Sequence, residues 1–158
     1  MCLIVDVNIA HRVFPKERAK DPDFGPVHKA LFGNGAGAYT RVVIGGQLTR
    51  EYEQMAQTWN LVVQLEKAGR VMKVREDSVK SETERLRKKK LCKSDDPHVI
   101  ALARVGHVRL LCTLDDDLTD DFKDAGLISN PRGKVYRNSD HEKLIRERCR
   151  VCSLSCRK

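Results

Sequence analysis

Three short, continuous apolar runs constrain this chain more than any other feature: CLIVD at the N-terminus, RVVIGG in the first third and RLLCT in the last. A run that is apolar at every position, rather than at alternate ones, reads as a strand buried on both faces of a parallel sheet. Helical periodicity fills the stretches between them. From Gln47 to Lys67 the residues Leu48, Tyr52, Met55, Trp59 and Val62 are spaced four, three, four and three apart, which predicts one long amphipathic helix. SVKSETERLRKKK predicts a charged helix, DPHVIALARV another, and SDHEKLIRERC a terminal one. A short helix is expected after Asn8 and a second at FGPVHKALF, with FPKERAKDPDFG and GNGAGA as irregular punctuation. RVMKV is ambiguous between strand and helix extension. DDLTDDFKDAG reads as a turn leading into a short helix, and GKVY as a last edge strand. Alternating elements of these lengths predict a three-layer α/β/α sandwich around a central, mostly parallel β-sheet. Residues 1–148 form that single domain in this reading, and residues 149–158 a basic, cysteine-containing tail.

Size and charge narrow the functional classes. A chain of 158 residues buries a core without covalent staples. The formal net charge of +8 favours a polyanionic partner, most simply nucleic acid. No apolar run approaches the length of a membrane span, and MCLIVDVNIAHRVF meets an aspartate too early for a secretory signal. A cytoplasmic protein with no membrane contact is therefore expected. Cys2 and Cys112 lie in strand-like runs and read as core residues. Cys149, Cys152 and Cys156 form CRVCSLSC. That spacing would need a fourth ligand, such as His141, Cys92 or another chain, to hold zinc, so a loosely ordered tail is the preferred reading.

Against this basic background, six aspartates crowd the ten residues from Asp115 to Asp124. Ligands of parallel α/β sheets gather beyond the carboxyl ends of the strands. Asp6 ends the first predicted strand, and Asp115, followed by Asp116 and Asp117, lies just past HVRLLCT. On the long helix, at about 100° per residue, Glu51 lies roughly 60° from the centre of the apolar stripe and Glu53 roughly 140° away. Glu51 can face the sheet edge; Glu53 cannot. Asp96 precedes Pro97 and so falls at a helix N-cap, near the side carrying Val99 and Ala103, with Asp95 turned further away. Each acid alone has a plain explanation as a turn former, surface ion pair, helix cap or solvated turn. Four unrelated elements that aim acids at one rim do not, because close like charges repel and raise each other's pKa. A hard divalent cation resolves the conflict, and all-oxygen ligands with water suit Mg²⁺ or Mn²⁺ better than zinc.

The segments LIVDVNIA, LTREYEQM, KSDDPHVIALA and LLCTLDDDL, in this order and across almost the whole chain, resemble the PIN-domain nuclease family. The family pattern has a first strand ending Asp-x-Asn or Asp-x-Thr, then a Glu early in a helix, often followed by Tyr. An aspartate seven residues before a helical Ala comes next, and a strand leading into Thr-x-Asp closes it. Asp6 with Asn8, Glu51 with Tyr52, Asp96 before Ala103, and Thr113 with Asp115 fill these places. The neighbouring acids Asp95, Asp116 and Asp117 and the cysteine tail depart from the pattern.

The resemblance implies hydrolysis of a phosphodiester, with Asp6, Asp96 and Asp115 holding one or two Mg²⁺ or Mn²⁺ ions directly or through water. Glu51 would ligate a second ion or orient the attacking water. Asn8 and Thr113, with Asp117 nearby, would support the aspartates from outside the metal shell. Arg85, Arg87, Lys88, Lys89, Lys90 and Lys93, and the basic segment from Arg132 onward, are candidates for salt-dependent phosphate binding, against the alternative of a solvated helix face. Few aromatic residues argue against extensive base stacking. By analogy with small members of the family, the expected substrate is RNA, with a toxin–antitoxin module, an antitoxin-like inhibitor and a homodimer as further expectations. Competing readings are a DNA or structure-specific nuclease of the same fold, and a non-catalytic RNA-binding module with a degenerate site. A phosphatase of the haloacid-dehalogenase type would want a second Asp where this chain has Asn8.

Overall fold

The computed structural model describes residues 1–15, 21–33 and 40–146. GNGAGA, part of the loop before it, and Cys149, Cys152 and Cys156 lie wholly or largely outside the described residues.

Five strands form one sheet in the order β3-β2-β1-β4-β5, and every pairing is parallel. The strands are β1 (Cys2–Val5), β2 (Arg41–Ile44), β3 (Val71–Lys73), β4 (Leu110–Cys112) and β5 (Lys134–Tyr136). The helices are α1 (Ala10–Val13), α2 (Gly25–Phe32), α3 (Gly46–Glu53), α4 (Ala56–Lys67), α5 (Glu76–Lys88), α6 (Pro97–Val105), α7 (Asp116–Lys123) and α8 (Glu142–Arg146). The architecture is the three-layer α/β/α sandwich. RVMKV resolves as a strand, and GKVY is the parallel edge strand beside β4. Cys2 is buried and disulfide-bonded, whereas Cys112 is a buried free thiol.

The continuous apolar runs form the middle of the sheet because both faces are covered there: every residue of β1 and β4 is buried. Helix α6 is equally enclosed, with Pro97 through Ala103 all buried. Around it, α5 packs along α6, and α3 packs against both. The charged helix α5 joins this core through Val79, Thr83 and Leu86, one stripe of an otherwise solvated surface. Gly46 allows the approach of α5 to α3. Its φ is +56°, and a Cβ there would meet Val79 Cγ1 at 2.8 Å.

Two expectations need correction. The long helix over 47–67 is two helices, α3 and α4, separated at Met55, whose backbone leaves the helical region (φ −103°, ψ 83°). Tyr52 ties α3 to the end of β1 through its hydroxyl, whereas α4 packs on β3, so one straight rod cannot serve both contacts. The aspartate run is also not a turn before a helix. Asp115 caps α7 directly, and Asp116 and Asp117 form its first turn, where negative charge complements the helix macrodipole.

The chain runs outward from β1 to β2 and β3, then returns to the other side of β1 for β4 and β5. The strand order therefore reverses between β1 and β4. In doubly wound sheets that reversal opens a crevice at the carboxyl ends of the two strands.

Candidate active site

Asp6 and Asp115 stand on the two sides of that crevice. The register pairs Val5 with Cys112, and the ladder continues one step further as Asp6 N donates to Cys112 O at 2.9 Å. Asp6 thus comes to lie beside Thr113. The Thr113 hydroxyl, fully buried, donates to Asp6 Oδ2 at 2.6 Å and accepts from Asp115 N at 3.0 Å. A single side chain therefore links both strand-end acids. Asp115 Oδ1 accepts from Leu118 N at 2.6 Å as the cap of α7, and Oδ2 takes no part in that bond.

Asp6 is only 1% exposed. Burial raises its pKa above the ordinary value, the hydrogen bonds of Thr113 and the Asn8 backbone oppose that rise, and the charges of Asp96 and Asp115 add to it. Asn8 acts on Asp6 through its N–H, while the residue itself is exposed.

Asp96 occupies the N-cap of α6, yet its side chain makes no capping hydrogen bond. The plain explanation of this residue as a helix cap therefore lacks its defining contact. Burial raises the Asp96 pKa, His98 opposes the rise, and Glu51, Asp115 and Asp95 reinforce it. Asp95 itself is exposed. The loop that delivers Asp96 is fastened by Asp121, a buried residue of α7. Its two carboxylate oxygens accept from Lys93 N at 2.9 Å and Ser94 N at 2.8 Å. One helix thus carries Asp115 at its start and the anchor of the Asp96 loop near its end.

Glu51 is half-buried on α3, and Glu53 is exposed. The Tyr52 hydroxyl donates to Val5 O, the carbonyl just before Asp6, which fixes α3 against the end of β1. Burial and the charges of Asp6, Cys112 and Glu51 hold that phenol well above its ordinary pKa. Glu51 Oε1 accepts from Gln47 Nε2 at 2.8 Å, whereas Oε2 is buried without a hydrogen-bond partner.

The remaining aspartates of the run have separate duties. Asp116 accepts from Arg137 Nη1 at 2.6 Å, Asp120 faces Lys93 Nζ at 3.5 Å, and Asp124 accepts from Gly126 N at 2.7 Å. Asp117 is exposed on the first turn of α7. Among the basic candidates, Arg85 forms a two-pronged pair with Glu82, at 2.7 Å for each contact. Arg87, Lys88, Lys89 and Lys90 are exposed at the end of α5. Cys92 is a half-buried free thiol, pushed up to about 11 by burial and by Asp121. His141, the other candidate zinc donor, faces Arg137 N through Nδ1 at 3.3 Å.

Sequence reasoning missed Tyr52 as an anchor, Asp121 as a fastener, and His98 altogether. Spacing marks Tyr52 as an apolar-stripe residue beside Glu51 but not its anchoring bond, and no spacing rule marks the roles of Asp121 and His98, because each acts across a contact between distant segments.

Among the described residues, no group of three or more His, Cys, Asp or Glu side chains closes around a single metal-holding point. The donor set nonetheless has the chemistry of a hard-cation site. Asp6, Asp96, Asp115 and Glu51 are all-oxygen donors, the charges of the others raise the pKa of Asp6 or Asp96, and Glu51 Oε2 is orphaned. Mg²⁺ retains several waters and is often held by only one or two carboxylates, so a hydrated ion does not require a closed group of three donors. No family model, no curated protein and no solved structure matches the chain.

Proposed function

We propose that this protein is a metal-dependent endonuclease acting on RNA. The observation that carries the reading is that carboxylates from four separate elements act on the strand-end region where a parallel sheet reverses its order: Asp96 and Asp115 raise the pKa of Asp6, and Glu51 and Asp115 raise that of Asp96. The resemblance of the four acidic segments to PIN-domain nucleases supports it, and so does the net charge of +8 around an acidic centre.

Asp6, Asp96 and Asp115 would hold Mg²⁺ or Mn²⁺, in part through water. The chemistry supplied by the bound ion is stabilisation of charge on the phosphoryl oxygens and acidification of the attacking water. Thr113 and the Asn8 N–H favour the ionised form of Asp6 against the effect of burial and orient it. Glu51 would ligate a second ion or accept a hydrogen bond from the water at Oε2. Arg87 and Lys88 to Lys90 would bind the substrate backbone without reading its sequence. RNA is preferred to DNA through the family resemblance, as are a toxin role, an antitoxin-like inhibitor and a homodimer.

One observation favours a second reading. The lack of a closed three-donor group among the described residues suits a non-catalytic RNA-binding module. Cleavage of single-stranded RNA by metal-stripped protein, with and without Mn²⁺ or Mg²⁺, separates the two. Cleavage should vanish in EDTA and return with metal, and Glu51→Gln should slow it far more than Glu53→Gln. Binding without cleavage in any metal would favour the module, and cleavage that persists in EDTA would remove the metal from the reaction.

A further inference from the structure

His98 is the second residue of α6 and only 3% exposed, yet neither ring nitrogen has a hydrogen-bond partner. The ring stands between two acids of the candidate site. Nε2 lies 3.4 Å from Glu51 Oε2, and Nδ1 lies 3.8 Å from Asp96 Oδ1. Glu51 Oε2 is likewise buried and unpartnered. Nε2 and Glu51 Oε2, both without a hydrogen bond, therefore face each other across the contact between α3 and α6, while Nδ1 faces Asp96 at the start of its own helix. Buried polar groups in folded proteins almost always find partners, so two buried polar atoms that face each other in this way call for an explanation.

Packing does not account for the histidine. Its buried neighbours on α6, from Val99 to Ala103, are all apolar, and a leucine would fill similar space with no polar atom to satisfy. A neutral imidazole has one donor and one acceptor nitrogen. An N–H at Nε2 would face Glu51, the nearer of the two carboxylates. The other Glu51 oxygen is held by Gln47, an exposed residue of the same helix. The buried ring is thus the rigid half of the grip on Glu51.

We propose that His98 is a positioning residue: its buried ring restrains the Glu51 carboxylate across the 3.4 Å contact of Nε2 with Oε2 and so sets it at a fixed place relative to Asp96, on a different helix. This inference rests on the nuclease reading. Without the ring, Glu51 is free to swing toward solvent on the exposed side of α3. Metal affinity and turnover then fall, while binding of the RNA backbone elsewhere is unaffected.

The test compares wild type, His98→Leu and His98→Gln in the full chain, by Mn²⁺ titration calorimetry, by kcat and KM for single-stranded RNA, and by melting. His98→Leu should bind Mn²⁺ more weakly and turn over more slowly, each by about 10- to 100-fold, as expected for a group that acts through a ligand. Its KM should stay within about twofold of wild type at saturating metal. His98→Gln, which keeps a donor near the Nε2 position, should recover most of both losses. A buried histidine with a purely structural role would instead lower the melting temperature of both variants and leave Mn²⁺ affinity and kcat unchanged, and that result overturns the proposal. Should His98→Leu fail to fold, the ¹⁵N resonances of the His98 ring in metal-free wild type and Glu51→Gln decide. The Nε2 signal should move, and an unmoved signal overturns the pairing. Wild-type protein that neither binds Mn²⁺ nor cleaves RNA overturns the nuclease reading and this inference with it. Normal wild-type activity beside an unaltered His98→Leu overturns the inference alone.

Discussion

Asp6 is shielded from water, and its surroundings pull in opposite directions. Thr113 and the Asn8 N–H favour its charged form; burial and the charges of Asp96 and Asp115 oppose it, and the net effect is a raised pKa. The ionised carboxylate is therefore a cost to the metal-free fold. Asp6→Asn keeps the shape and an acceptor for the Thr113 hydroxyl while removing that charge. The variant should melt at or above the wild-type temperature without metal and gain less than wild type from added Mn²⁺, since a ligand stabilises in proportion to its affinity. Its cleavage should fall by more than the roughly 10- to 100-fold typical of residues that merely support a ligand. Paired melting curves with and without Mn²⁺ check this. A destabilised variant with an undiminished metal response would identify Asp6 as a structural turn residue instead. At this scale, the sequence disclosed what obeys a period or a position. Rotation about a helix distinguished Glu51 from Glu53, and Pro97 placed Asp96 at a cap. It did not disclose that Asp96 leaves its capping bond unmade, or that a histidine two residues later stands between two acids. Both facts depend on how α6 meets α3.

Three helices end in the same way, and only one uses the residue suited to it. After α4, α5 and α6 the chain closes with paired bonds to the carbonyls five and three residues back. These are Arg70 to Leu65 with Gly69 to Glu66, Leu91 to Leu86 with Lys90 to Arg87, and Val108 to Ala103 with His107 to Arg104. The middle residue of each closure has positive φ: +71° at Gly69, +48° at Lys90 and +53° at His107. An L-residue pays about 1 kcal/mol or more for that backbone, and glycine does not. His107 is exposed, so His107→Gly should stabilise the protein by up to about 1 kcal/mol and raise Tm by about 2–4 °C. Gly69→Ala should cost a similar amount, because a Cβ there meets nothing within 4 Å and only the backbone term changes. Chemical denaturation of both variants tests the pair, and a destabilised His107→Gly would mean that the side chain outweighs its backbone. These closures also show why helix ends were hard to place by reading. Gly69 is a visible stop, but Lys90 and His107 look like any surface residue. The break at Met55 was hidden for a related reason: the apolar spacing of three from Tyr52 to Met55 continues straight through it, with no Gly or Pro to interrupt the pattern. β1 and β4 were legible because complete burial leaves an unbroken apolar run, whereas β3, which is not buried, stayed ambiguous in RVMKV.

The chain as a whole carries a surplus of positive charge although four acids are its candidate site, and this division has a measurable consequence. A net charge of +8 draws a polyanion toward the protein from any direction, whereas the four carboxylates repel its phosphates until a cation intervenes. The basic groups best placed to hold the backbone are those without an acidic neighbour. Arg85 is consumed by Glu82, and Lys93 is opposite Asp120. Lys88, Lys89 and Lys90 are exposed where α5 ends and passes into the segment that Asp121 fastens at Lys93 and Ser94, just before Asp96. The sequence could name the basic run but not sort it, since the partners of Arg85 and Lys93 depend on folding. Each phosphate contact with a single strand contributes about 0.7 to the slope of log affinity against log salt, so loss of all three lysines should flatten it by about 2. The triple Lys→Gln variant should also bind RNA more weakly at low salt and converge with wild type at high salt. Its stability should change little, because exposed substitutions usually fall within about ±0.5 kcal/mol, and only Lys88, in the last turn, loses a favourable interaction with the helix dipole. Fluorescence anisotropy with a labelled single strand in Ca²⁺ or EDTA, over a range of salt, measures binding apart from cleavage. An unchanged slope would return the run to the solvated face of α5 and move the search for the phosphate track to the other basic segments around the crevice.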